Sequence, residues 1–400
     1  MPSLSLLRFA QPRGLRVSKA EGQYVWDSSG RRYLDFHTGH GAAFLGHRNP
    51  FVVRRISEQL GKLTCLPPVF ENQILDEALD LLSKILPKHL THVFFMNSGS
   101  EAVELALKLA RKRSGRKLFA SFTGAFHGRT MAALSVTHNP KYRSGFEPFP
   151  GEALFIPYND TGQLSRIDES VAAAIVEPIQ GEAGVYPATA EFMRALEERC
   201  REVGAYLIVD EVQSGFGRAG RVWSHLEHGV KPDIMVAGKS IGGGFPVSLI
   251  AVSSELGEKI EEGEHGSTHG GNPLALAALV GGIEAFLSDD VSGRAARMGE
   301  LLGSQLAELA QEFKTVVRGV RSKGLMLAVE LRERVSPYIA RLQAEGLLLL
   351  RSGATTLRML PPYLISKEDV NFSIKALDAA LYMALTGSQR EDTREVLRRA

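Results

Sequence analysis

Between residues 51 and 285 two hydrophobic patterns alternate along the chain. Short apolar runs at 92–96, 117–122, 153–157, 172–176, 206–210, 234–237 and 248–253 are too brief for helices, and polar or Gly residues punctuate them; they read as buried strands. Between them apolar residues recur every three or four positions, as over 101–113 and 190–203, which is the helical period. Gly204 closes the second of these as a left-handed helix end. Strand–helix alternation predicts βαβ units and a mostly parallel sheet, an α/β fold. The first 50 residues are Gly-rich and turn-rich, with strands expected at 23–26 and 32–36. After about 286, long amphipathic helices (294–313 and 370–385) mix with strands at 325–331 and 357–360. Ser366-Lys367-Glu368-Asp369 reads as a capped start of the last helix. The chain thus divides into an N-terminal segment (1–50) joining a smaller domain, a large domain (51–285), the smaller α+β domain (286–386) and a charged tail (387–400), the last expected as a loosely attached helix or disordered end.

Composition narrows the class. The chain has 400 residues, 44% hydrophobic and 23% charged, as in an ordinary globular protein. A net charge of +2 points to no nucleic acid. Cys65 and Cys200 are too few for a disulfide framework or a zinc site, which fits a reducing cytoplasm. Nothing at the N-terminus resembles a signal peptide, and the apolar run at 347–350 is far too short to span a bilayer, so neither export nor a membrane is expected.

The most informative chemistry sits at two strand ends. The run 206–210 ends in Asp210-Glu211-Val212-Gln213, and the run 234–237 ends in Gly238-Lys239-Ser240 followed by three glycines. Open α/β sheets bind ligands at the carboxyl ends of their strands. One strand delivers an acid there, the other an amine. An acid under a ring nitrogen and a lysine on an aldehyde carbon are what pyridoxal phosphate requires of a protein. The rival for a strand followed by Asp-Glu is the magnesium-binding acid of a nucleotide hydrolase. Gly238-Lys239-Ser240 looks like the end of a phosphate loop, but that pattern needs Gly at 233, where Asp stands.

Weaker motifs surround this pair. Asn97-Ser98-Gly99-Ser100-Glu101 follows a strand and opens a helix, so its free amides can seat a phosphate; a plain Ser cap is the simpler alternative. Phe126-His127-Gly128-Arg129 lies on a sheet-end loop, where Phe126 can stack on a ring and Arg129 can grip a carboxylate. Glu177-Pro178-Ile179-Gln180-Gly181-Glu182 also ends a strand, and its carboxylates can orient a loop or pair with an arginine, Arg358 being a candidate. The literal GxGxxG at 215–220 follows no strand directly and opens no helix, so it reads as a flexible turn beside the site. Ser267 and Thr268 lie in a Gly-rich loop before a helix started by Pro273, and their hydroxyls can bind phosphate. His37, His40, His265 and His269 lack metal-ligand spacing, and no metal is assigned.

Together these segments, from Tyr24-Val25-Trp26-Asp27 and Gly46-His47 to Arg358-Met359-Leu360-Pro361-Pro362, resemble the class III aminotransferases of the fold-type I pyridoxal-phosphate superfamily over nearly the whole chain. Asp210, Lys239 and Thr268 stand at equal spacings of 29 residues, in keeping with that family. The resemblance implies a large cofactor-binding domain with a mostly parallel seven-stranded sheet flanked by helices, a smaller α+β domain, and a homodimer with shared active sites. It implies that Gly99 and Ser100 seat the cofactor phosphate and Phe126 stacks on the ring. Asp210 would meet the pyridine nitrogen, Gln213 the phenolic oxygen, and Lys239 the aldehyde. Arg129 would hold the substrate α-carboxylate, while Ser267 and Thr268 reach the neighbouring subunit's site. Glu182 would screen Arg358 until 2-oxoglutarate or glutamate needs that arginine. The chain departs from the family at Ser100 and Ala219, where Thr is common, and at His269, where Phe is common. Within the class it is most similar to the acetylornithine group, whose donors are ornithine or lysine blocked on the α-amine by acetyl or a small acidic carrier protein. The implied reaction moves the terminal amine to 2-oxoglutarate, in arginine or lysine biosynthesis. Ornithine or 4-aminobutyrate transamination and an aminomutase are the alternatives. The basic cluster Arg111, Lys112, Arg113, Arg116 and Lys117 could steer an acidic carrier, although a solvated helix end suits the same charges.

Overall fold

The computed structural model describes residues 4–67 and 69–399, with side chains up to 383. Residues 1–3 and the side-chain charges of the 387–400 tail lie outside the described part.

A seven-stranded sheet forms the centre. In order across it stand Leu90–Met96, Ser248–Ser253, Ile234–Ala237, Tyr206–Asp210, Val171–Val176, Leu118–Phe122 and Glu152–Ile156. Ser248–Ser253 is antiparallel to both its neighbours, and the other six strands share one direction. Every residue of Val171–Val176 and Ile234–Ala237 is buried, as strands must be when helices cover both faces. Alternation decides which helix each residue meets. Ile208 and Ile175 join the cluster beneath the helix Gly99–Ser114. Leu207, Val209 and Val176 join the cluster beneath the helix Ala190–Val203, which buries Phe192, Met193, Leu196 and Cys200. Each fully buried aliphatic side chain there contributes roughly 2 kcal/mol.

Local signals fix the helix ends. Thr189 accepts the amide of Phe192 at 3.1 Å, and Gly204 ends that helix at φ 67°. The last helix, Lys367–Arg399, starts with a reciprocal cap in which Ser366 and Asp369 exchange hydrogen bonds of 2.9 and 3.2 Å. Its helical backbone runs on through the stretch expected as a loose end. No helix among the described residues is long and apolar enough to cross a membrane.

Two four-stranded sheets accompany the large one. Val17–Glu21, Tyr24–Asp27 and Arg32–Asp35 form an antiparallel set, which Leu347–Leu348 joins in parallel through Leu34 and Asp35. The N-terminal strands are thereby tied to the C-terminal part of the chain. Val317–Lys323, Met326–Leu331, Thr356–Met359 and Leu350–Ser352 form the other sheet, antiparallel throughout. Ala295, Leu302 and Leu306 of the helix Val291–Glu312 pack with Leu325, Leu327 and Val329 against it.

Candidate active site

Five strands of the large sheet end at one cavity. Leu90–Met96 leads to Ser98, Gly99 and Ser100, Leu118–Phe122 to Phe126, His127 and Gly128, and Val171–Val176 to Glu177 and Glu182. Tyr206–Asp210 ends in Asp210 and leads to Val212 and Gln213, while Ile234–Ala237 leads to Lys239. The first wall is a helix N-terminus. Ser98 and Glu101 form a reciprocal cap, with the Ser98 amide donating to Glu101 at 2.7 Å and the Glu101 amide to Ser98 Oγ at 3.3 Å. The cap satisfies neither the Gly99 nor the Ser100 amide, and these first-turn N–H groups have no partner within a helix. Gly128, at φ 137°, lies against Ser100; a Cβ there would stand 2.4 Å from Ser100 Oγ. Only glycine lets the two loops meet.

The floor is a buried chain of charge. Asp210 Oδ2 accepts a hydrogen bond of 2.8 Å from His127 Nδ1, and Asp210 Oδ1 accepts the Val212 amide at 3.0 Å. His127 Nε2 is buried with no hydrogen-bond partner among the described residues. Glu177 accepts the Phe126 amide at 3.0 Å. Burial pushes the Glu177 carboxyl up to about 7, against the pull of His127 and with some help from Asp210. Sequence reasoning assigns no role of its own to His127, and gives Glu177 only that of orienting a loop or pairing with an arginine; in the structure Glu177 ties down the Phe126 loop. Their signal is nevertheless of the kind that marks Asp210: an ionisable residue close beyond a buried strand.

Lys239 has an unusual backbone. It adopts φ 47°, a left-handed conformation that costs a non-glycine residue roughly 1–2 kcal/mol. The short 3-10 turn Lys239–Gly242 holds it, with the Ile241 amide donating to Gly238 at 3.3 Å and Ser240 Oγ to Gly41 at 3.3 Å. Burial lowers the Lys239 ammonium below its ordinary value, although Glu182 and Asp210 pull it back up. The amine is thus biased toward its neutral, nucleophilic form.

Behind the cavity-lining Glu182 and Gln213 stands the small C-terminal sheet. Arg358 is wholly buried, and its Nη2 donates to Glu182 Oε1 at 2.6 Å. Gln213 bridges the pair, accepting from Arg358 Nη1 at 3.4 Å and donating to Glu182 at 3.4 Å. Burial alone would raise the Glu182 carboxyl, but Arg358 and then Lys239 outweigh it and hold it below its ordinary value.

Three residues singled out from sequence stand apart from this cavity. Arg129 is exposed and stacks 3.6 Å over the Tyr142 ring, while its amide donates to Ser100 Oγ at 3.2 Å. Ser267 Oγ accepts the Gly270 amide at 2.9 Å, and Thr268 is exposed. The basic cluster is largely engaged within the chain. Lys112 and Arg113 both bond Glu264, Arg111 bonds the Pro150 carbonyl, and Arg116 spans the carbonyls of Val171, Val203 and Gly204. The turn at 215–220, expected to be flexible, is instead packed into the interior.

An α/β sheet whose strand ends gather a helix N-terminus, a buried acid and a strained lysine defines a lysine-dependent enzyme of the pyridoxal-phosphate type. The sequence pattern of the aminotransferase class-III family matches residues 9–381, and the chain belongs to that family. It is 46% identical over 378 residues to a LysW-aminoadipate semialdehyde/glutamate semialdehyde transaminase of Sulfolobus acidocaldarius, covering 94% of this chain and 97% of that one. It is 41% identical over 362 residues to an acetylornithine aminotransferase of Archaeoglobus fulgidus, covering 90% and 94%. Among solved structures it is similar to an ornithine aminotransferase from Toxoplasma gondii in which PLP partly occupies the active site, with TM-score 0.90, 30% identity and coverage of 96% and 93%. The protein is an aminotransferase and uses pyridoxal phosphate. Its residues suit that group: free amides for a phosphate, a half-buried aromatic ring, an acid braced by a histidine whose Nε2 is otherwise orphaned, and a lysine biased toward the free amine.

Proposed function

We propose that the enzyme transfers the terminal amino group of an N2-blocked ornithine or lysine, with acetyl or a carrier protein as the block, to 2-oxoglutarate. The products are a semialdehyde and glutamate, and the reaction serves arginine or lysine biosynthesis in the cytoplasm. The observation that carries this reading is the Glu182–Arg358 pair at 2.6 Å, set beside Lys239. A single site must accept a donor amine and then a dicarboxylate. A buried arginine that an acid can cover or release serves both in turn. Relatives named for LysW-aminoadipate semialdehyde and for acetylornithine support the choice of donor.

When bound, pyridoxal phosphate supplies an aldehyde that holds the amino group and a ring that takes up electrons. Gly99 and Ser100 amides would hold its phosphate, Phe126 would pack on its ring, Asp210 would face its ring nitrogen and Gln213 its phenolic oxygen. His127 fixes the orientation of Asp210 and adds a donor to its carboxylate. Lys239 Nζ would carry the aldehyde between turnovers and, once released, move the proton at the substrate carbon. Arg129 would hold the donor's α-carboxylate. Ser267 and Thr268 would complete the site of a neighbouring subunit, in a homodimer built on the large and small domains. The carrier surface, if the donor is carrier-linked, is not assigned to 111–117, because most of those charges are bonded within the chain.

A donor panel assayed for glutamate tests the reading: ornithine, acetylornithine, acetyllysine, 4-aminobutyrate and carrier-linked lysine. Turnover should require 2-oxoglutarate and favour a blocked donor. Preference for free ornithine or 4-aminobutyrate refutes the blocked substrate, and turnover without 2-oxoglutarate would make the enzyme an aminomutase.

A further inference from the structure

Arg218 is a wholly buried guanidinium that no acid among the described residues neutralises. Its Nη1 donates to the carbonyls of Leu325 at 3.2 Å and Pro361 at 2.5 Å, and its Nη2 to the carbonyl of Gly41 at 3.0 Å. Its Nε has no partner, and its guanidinium carbon lies 4.3 Å over the Phe44 ring. Burial alone moves its pKa, down to about 9, so at neutral pH it remains a cation. A buried charge without a counter-ion is costly, and three carbonyl dipoles with one aromatic face are what offset it.

Each of the three carbonyls belongs to a segment that carries part of the site. Pro361 stands three residues after Arg358. Leu325 precedes the strand Met326–Leu331, whose Ala328 lies in register with Arg358, and the Leu325 amide also donates to the Arg218 carbonyl at 2.9 Å. Gly41 ends a turn in which four consecutive residues are left-handed: Thr38 at φ 44°, Gly39 at 59°, His40 at 58° and Gly41 at 91°. Two of those four are not glycine, so the turn persists only because it is held. Asp35 accepts the amides of His37 and Thr38 at 2.8 and 2.9 Å, and Thr38 Oγ1 donates to the Leu360 carbonyl at 2.6 Å. The Gly41 carbonyl is shared by Arg218 and by Ser240, the neighbour of Lys239. His40, carried on this turn, lies within electrostatic reach of Glu182, Arg358 and Lys239.

We infer that Arg218 is a positioning residue that fixes the strand of Arg358 against the left-handed turn 38–41 and so sets the enzyme's grip on the acceptor carboxylate that Arg358 takes. The inference rests on the proposed role of Arg358 as that carboxylate's anchor. Arg218 touches no carbonyl on the loops that carry Gly99, Phe126 or Glu177, and it reaches Lys239 only through the Gly41 carbonyl shared with Ser240, so its loss should fall chiefly on the acceptor half-reaction. Lysine cannot replace it: three divergent carbonyls match a planar fork and not a single ammonium.

The test measures the two half-reactions separately in single-turnover experiments on the holoenzyme, using cofactor absorbance, for wild type, Arg218→Lys and Arg358→Gln. Arg218→Lys should weaken 2-oxoglutarate binding at least about tenfold, the order expected of a small misplacement, while the donor half-reaction stays within about threefold. If Arg358→Gln leaves 2-oxoglutarate binding unchanged, the anchor role itself is wrong. If Arg358→Gln weakens it while Arg218→Lys alters neither half-reaction, or slows both in equal proportion, Arg218 is merely structural and the inference falls. Should Arg218→Lys not fold, Thr38→Val, which removes the turn's tie to Leu360, carries the same expectation and the same refutation.

Discussion

Glu182→Gln isolates the charge that covers Arg358. In the structure Arg358 is fully buried, its contact with Glu182 is 2.6 Å, and its remaining side-chain partner, Gln213, stands at 3.4 Å. On the proposed reading, an incoming dicarboxylate takes the place of Glu182 Oε1. Glutamine keeps an acceptor of the same shape but removes the competing charge. A hydrogen bond to a charged group contributes about 1.5–3 kcal/mol, and about 1.4 kcal/mol is a factor of ten. Glu182→Gln should therefore tighten 2-oxoglutarate binding roughly tenfold to a hundredfold, with no gain for the amine donor. The free enzyme should at the same time lose up to about 3 kcal/mol of stability, because a buried guanidinium has lost its counter-charge. Steady-state KM values for both substrates, together with thermal melts with and without 2-oxoglutarate, measure both effects. The melting deficit should close on adding 2-oxoglutarate. An unchanged or raised KM for 2-oxoglutarate refutes the exchange of Glu182 for substrate on Arg358.

The other walls give two more expected outcomes. Lys239→Ala should abolish the visible absorbance of the lysine-bound holoenzyme and lower turnover by about 10²–10⁴-fold or more, and normal turnover in that variant would overturn its role. Glu177→Gln should be stabilising only at high pH. Because burial raises the Glu177 carboxyl from 4.5 to about 7, the folded state keeps a proton that the unfolded state has lost across that window, and stability falls as pH rises through it. Glutamine still offers an acceptor to the Phe126 amide without the charge, so the variant should match wild type near pH 4 and exceed it by about 3 kcal/mol near pH 8. Melts of equal difference at both pH values would show that Glu177 is not held neutral.

The large sheet and the wall it builds were legible because local rules determine them. The strands Tyr206–Asp210, Ile234–Ala237 and Ser248–Ser253 and the helix Ala190–Val203 stand where apolar runs and helical periodicity put them, residue for residue. The helix over 101–113 begins earlier, at Gly99, because the Ser98–Glu101 cap outweighs the poor helix propensity of Gly99. Parallel strands carry the rest of the information: each delivers the loop at its carboxyl end to the same edge, so Asp210, Lys239, Phe126 and Gly99 meet without any knowledge of tertiary contacts.

The opposite wall obeys no such rule. Arg358 lies in an antiparallel strand, Thr356–Met359, and its meeting with Glu182, which the structure shows, is suggested in the sequence by the charges and the family resemblance and not by any periodicity. The left-handed run at 38–41 contains Thr38, a β-branched residue that local preference keeps out of that conformation, and it is held by the neighbouring Asp35 together with distant contacts from Leu360 and Arg218. The same holds for the 215–220 turn, where a Gly-rich pattern suggests mobility but burial of Arg218 makes it a joint. The division has a mechanistic sense. On the proposed reading, the wall that local sequence dictates would hold the cofactor, which stays bound at the same place through both halves of the reaction. The wall built from long-range contacts faces the part of the site that must accept first one partner and then another, and there an exchangeable pair, held in place from behind, is more useful than a fixed donor.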